Sequence, residues 1–120
     1  MRKGRLPDAF RERTKRFAAA VIRLFVALPK DQPETQVCGK QMLRAGTSVA
    51  AHVREASRAR SDAEFISKLG GALQEADEAQ LWFELLREEC GITEESTIPL
   101  ESEANELIAI MTTIIIRTRD

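Results

Sequence analysis

The chain has 120 residues, 5% of them aromatic and none Tyr, so a single domain with a core of Leu, Ile, Val and Ala is expected. No stretch supplies the ~18 apolar residues of a membrane span. The basic start at Met1 to Arg5 leads into apolar residues broken by Arg11, Glu12, Arg13, Lys15 and Arg16, which argues against a signal peptide, and with only two cysteines a cytoplasmic, reducing compartment is expected.

The net charge of −1 hides a split: residues 1–60 carry +9 and residues 61–120 carry −10. Such asymmetry has two readings. The basic half meets nucleic acid or another polyanion, or the basic half of one subunit meets the acidic half of the next.

Residues 1–6 read as a basic arm. Asp8 serves as a cap or a first-turn acid for a helix over about 8–28, with Phe10, Phe17, Val21, Leu24 and Leu28 as its stripe. Pro29 ends it, and residues 30–33 form a loop. A second helix spans about 35–57. Met42, Gly46, Val49, Val53 and Ala56 recur at spacings of 4, 3, 4 and 3. Gly39 and Gly46 each cost roughly 1 kcal/mol in a helix relative to Ala, which calls for close packing.

Ser61, with Glu64 three residues on, forms a capping box that starts a third helix over about 62–90. Phe65, Leu69, Ala72, Ala76, Ala79, Phe83, Leu86 and Cys90 make its seam, and with Gly46 the small residues let the two hairpin helices approach closely. Gly70 and Gly71 predict a bend or a close contact. A second stripe of Ile66, Leu73, Leu81, Trp82 and Leu85 either meets another subunit or covers the neighbouring helices of the same bundle. Gly91 fits a left-handed helix end. Thr93 to Thr97 reads as an acidic loop, followed by a fourth helix over about 99–116 with Pro99 at its first position. Leu100, Ala104, Leu107, Met111 and Ile114 form its stripe. The fold class is therefore all-α, an antiparallel up-down four-helix bundle in one domain over 1–120.

The run Gln41-Met42-Leu43-Arg44-Ala45-Gly46-Thr47-Ser48-Val49, then Val53-Arg54-Glu55-Ala56-Ser57, then Ser61-Asp62-Ala63-Glu64-Phe65, resembles the 23S rRNA intervening-sequence proteins. The resemblance covers about residues 8–92. It departs from the usual pattern at His52 (for Asn), Ala56 (for Gly) and Ala59 (for Arg). It implies a ring-shaped homo-oligomer, typically a homopentamer. Gln41, Arg44, Ser48, Glu55, Ser61, Glu64, Phe65 and Glu78 fall on its motif positions. A related branch, the accessory proteins of diversity-generating retroelements, binds reverse transcriptase and nucleic acid.

No catalytic or cofactor-binding constellation is legible. His52 is the only histidine, and Ser48 one turn before it does not make a triad. Its spacing to Glu55 is His-x-x-Glu, occurring once, whereas di-metal bundles repeat Glu-x-x-His, so no metal site is expected. Gln41, Arg44, Glu55 and Glu78 are candidates for a structural polar network, with a binding pocket as the alternative. Arg11, Arg13, Lys15, Arg16, Arg58 and Arg60 are the candidate contacts to RNA or DNA. With no aromatic residue among them, base stacking is not expected and binding should be backbone-directed and salt-sensitive. The antiparallel hairpin brings Cys38 and Cys90 to one end, where they stay reduced or pair. The function expected is a non-enzymatic homo-oligomeric scaffold or adaptor that binds nucleic acid or a nucleic-acid enzyme. The alternative is a protein assembly module without nucleic-acid binding.

Overall fold

The computed structural model describes residues 6–120. The basic arm expected over residues 1–6 lies outside them, except for Leu6, which is buried as part of the core. Four helices follow in order: α1 Asp8–Ala27, α2 Pro33–Ser57, α3 Asp62–Cys90 and α4 Glu94–Arg119. They pack antiparallel into a rod of 50 × 20 × 19 Å. The α2–α3 pair is packed most extensively, then α3–α4 and α1–α2, while α1 and α4 touch only sparingly.

Local chemistry sets most boundaries. Leu28 is extended, as the residue before a proline must be, and α1 stops there. Pro33 is the first residue of α2 rather than part of the loop, because a proline needs no partner for an N–H at that position. The loop before it is tied down by Gln36 Nε2, which donates to the Pro29 carbonyl at 2.6 Å. At α3, the Ser61 hydroxyl accepts from Glu64 N–H at 3.0 Å, and the Glu64 carboxylate accepts from Arg60 N–H at 2.7 Å. Gly91 ends α3 at φ 74°, where its N–H and that of Ile92 both reach the Leu86 carbonyl.

The start of α4 corrects the sequence reading. Thr93 to Thr97 is not a loop: Thr93 caps the helix by accepting from Ser96 N–H at 3.2 Å, and Glu94 and Glu95 occupy the favourable first turn. Pro99 then lies inside the helix, and α4 is five residues longer at its front than expected.

The core is aliphatic, with Phe65 and Phe83 as its largest wholly buried side chains. Phe17 of α1 meets Phe83 of α3 edge to face across the bundle, with centroids 6.3 Å apart and planes at 88°. Gly39 and Gly46 are both closely packed as expected, but Gly46 does not open the α2–α3 seam. They face α1, where a Cβ would lie 2.6 Å from Leu28 Cδ1 and 2.8 Å from both Val21 γ-carbons. Of the two α3 glycines, Gly71 is the close contact, against the His52 ring, and Gly70 has nothing near it.

Candidate functional site

A helix repeats its faces every three to four residues, so cations four apart stand in a row with ~6 Å between steps. Arg11 and Lys15 on α1 form one such row, and Arg54 in the last turn of α2 with Arg58, the residue that caps it, another. The two rows line a groove of about 1160 Å³, with Ala50 and Ala51 among its lining residues. Arg60 from the α2–α3 link and Lys68 from α3 complete the cationic lining, beside Asp8, Glu12, Glu55 and Glu64.

The cations are engaged unequally. Arg11 pairs with Asp8 one turn back. Lys68 reaches Glu55 at 3.5 Å, and Arg60 reaches Glu64 at 3.6 Å. The backbone bond from Arg60 holds the Glu64 carboxyl below its ordinary value. Lys15, Arg54 and Arg58 are exposed and have no ion pair among the described residues. Lys68 and Arg54 were not singled out from sequence, although Arg54 stands one turn before Arg58 and the spacing was there to read.

Two of the six expected nucleic-acid contacts lie elsewhere. Arg13 is two residues from Arg11, about 200° around the helix, so it points away from the groove. It clamps Glu103 through Nε at 2.7 Å and Nη2 at 2.8 Å, and Glu106 at 2.8 Å. These bonds push its guanidinium pKa upward and bridge the sparse α1–α4 seam. Arg16 is exposed but does not line the groove.

The expected polar network forms in part. Arg44 donates to Glu78 at 2.6 Å and to Gln41 at 3.4 Å, and lies 3.8 Å from Glu75. Glu78 also accepts from Trp82 Nε1 at 3.1 Å. Glu55 is not a member: it is three turns, about 16 Å, further along α2, where it meets Lys68 and His52 Nδ1, each at 3.5 Å. His52 is half-buried against Gly71, and no nucleophile is placed beside it by any described contact. Among the described residues no group of three or more His, Cys, Asp or Glu could hold a metal ion. No described helix is long and apolar enough to cross a membrane.

The second α3 stripe is divided. Ile66, Leu73 and Trp82 pack against the core of their own chain, Leu85 is half-buried, and Leu81 is 47% exposed. Leu81 is not alone. Ile22, Val26, Val37 and Ile98 are also exposed in the half of the rod away from the groove, and Ile116 is exposed near the other end, in the last turns of α4. Cys38, near the start of α2, and Cys90, at the end of α3, lie at the end away from the groove as free thiols.

Among curated proteins none matches the chain. A solved structure of a protein of unknown function from the S23 ribosomal protein family of Bacteroides thetaiotaomicron superposes with a TM-score of 0.82. It shares 37% identity over 90% of this chain and 96% of the other. The model of the 23S rRNA-intervening sequence protein family matches residues 9–113, which reach into all four helices and hold all of the groove lining but Asp8. The chain belongs to the 23S rRNA-intervening sequence protein family.

Proposed function

We propose that the protein is a non-enzymatic, cytoplasmic, homo-oligomeric adaptor that binds the backbone of RNA or DNA in the groove between α1 and α2. The observation that carries this reading is the pair of cation rows, Arg11/Lys15 and Arg54/Arg58, stepped by one helical turn. That step is of the same order as the spacing of successive phosphates along a strand. Lys15, Arg54 and Arg58 have no carboxylate partner among the described residues, so phosphate contact costs them no existing ion pair. Assembly into a ring repeats the groove around an axis and adds weak contacts together. The exposed aliphatic side chains of the opposite half supply surface for such assembly, and a subunit number of five follows from the family resemblance.

The test is an RNA and DNA titration across a salt series, with assembly size measured in the same buffers. Binding is expected to fall steeply with salt while the assembly persists. The double variant Arg54→Glu/Arg58→Glu should weaken binding at least roughly tenfold and flatten the log–log salt slope by about 1.5 per engaged subunit. Arg16→Glu, outside the groove, should leave both nearly unchanged.

Asp8, Glu12, Glu55 and Glu64 in the same groove favour a second reading, a protein assembly module that recognises a partner of mixed charge. That reading requires no nucleic-acid binding even at low salt.

A further inference from the structure

One ring nitrogen of His52 is left unsatisfied. The ring packs against Gly71, where a Cβ would lie 3.3 Å from both Cε1 and Nδ1. Nδ1 is shut off from solvent and has no hydrogen-bond partner among the described residues. A buried polar atom without a partner is costly and calls for an explanation. Glu55 Oε1 stands 3.5 Å from Nδ1, and Lys68 Nζ lies 3.5 Å from that same oxygen. One carboxylate oxygen is thus shared between an imidazole on its own helix and an ammonium on α3. Glu75 stands on α3 one turn beyond Gly71. Its Oε2 is 3.8 Å from Arg44 Nη1, and its Oε1 is likewise buried without a partner. We propose that protonation of His52 draws Glu55 away from Lys68 and frees the Lys68 ammonium into the groove, a pH switch on the charge of the groove.

An imidazole is the side chain whose ordinary titration falls between pH 5 and 8. A neutral ring with its hydrogen on Nε2 turns a lone pair towards Glu55, and neither atom gains. In the protonated ring both nitrogens carry hydrogen, and the one on Nδ1 needs an acceptor. Shortening the 3.5 Å gap to hydrogen-bond length takes about half an ångström. The Glu55 side chain is 53% exposed, so it has room to turn. Lys68, 43% exposed and already lining the groove, then loses its carboxylate. Protonation adds one charge beside the groove and unties a second within it. Resting on the groove reading above, the consequence is that phosphates are held more tightly as pH falls and less tightly as pH rises.

The switch itself is tested in the full chain without nucleic acid, by side-chain NMR between about pH 5.5 and 8. The Glu55 carboxyl carbon and the Lys68 Nζ signals should move with the same midpoint as the His52 imidazole, and both should stay flat in His52→Gln. A Glu55 signal indifferent to the imidazole, or a Glu75 carboxyl that moves in its place, would overturn the proposal. RNA titrated at low salt should bind roughly threefold or more tightly at about pH 5.5 than at about pH 7.5. His52→Gln should lose most of that gain and keep the affinity at the higher pH. RNA that binds the wild-type chain equally at both pH values also overturns the proposal. If no RNA binds at either pH while the Glu55 and Lys68 signals still move together, the switch stands and the groove reading falls.

Discussion

Val21 is wholly buried, and both its γ-carbons would sit 2.8 Å from a Cβ on Gly46. A β-branched side chain has little rotamer freedom with which to yield. Gly46→Ala gains roughly 1 kcal/mol of helix propensity but overpacks a close contact, and should destabilise the fold by about 1–2 kcal/mol net in denaturant unfolding. Gly70→Ala is the converse. It is in the same kind of helix interior with nothing within 4 Å, and should stabilise by about 0.5–1 kcal/mol in the same measurement. The sequence shows that both positions are helical glycines, but only the third dimension tells which one has a neighbour. Glu64 gives a pH dependence whose sign follows from its lowered pKa. Its charged form is stabilised by folding, so that contribution is present above the ordinary value of 4.5 and is lost as pH falls through the lowered folded value. Glu64→Gln should remove this part of the acid dependence, read by comparing unfolding midpoints between pH 3 and pH 6.

At the scale of the helices, ends with side-chain chemistry were the most legible. Ser61, Glu64 and Gly91 bound α3 at the residues the sequence pointed to, since capping is decided within four residues of chain. The front of α4 was misread because Pro99 is a favoured first helical residue, and Thr93 with Ser96 offered a weaker local signal for the same role. Thr93→Ala should therefore fray α4 and cost about 1 kcal/mol, checked by unfolding and by loss of helical ellipticity. The Arg13 clamp was invisible for a different reason. A row of basic residues on α1 reads as one patch in sequence, but a step of two residues turns Arg13 away from Arg11, and its partners are on a helix about 90 residues distant. With both Arg13 and Glu103 side chains 29% exposed, Arg13→Ala should cost about 1–2 kcal/mol and loosen α1 from α4.

At the scale of the molecule, the charge split has a use that the sequence reading did not include. Arg13 with Glu103 and Glu106, and Arg44 with Glu78, join the basic half to the acidic half within one chain. Part of the asymmetry is thereby neutralised internally, and within the groove the cations left without an ion pair among the described residues are Lys15, Arg54 and Arg58. The uneven packing among the helix pairs also orders how the molecule opens. Backbone amides exchange with solvent deuterium at rates set by the free energy of local opening. Packed extensively only against α2, and tied to the other helices chiefly by the Phe17–Phe83 contact and the Arg13 clamp, α1 should take up deuterium ahead of the rest. The central turns of α2 and α3, around Val49 and Ala76, should be the last to do so, with α1 opening as a unit before the hairpin beneath it.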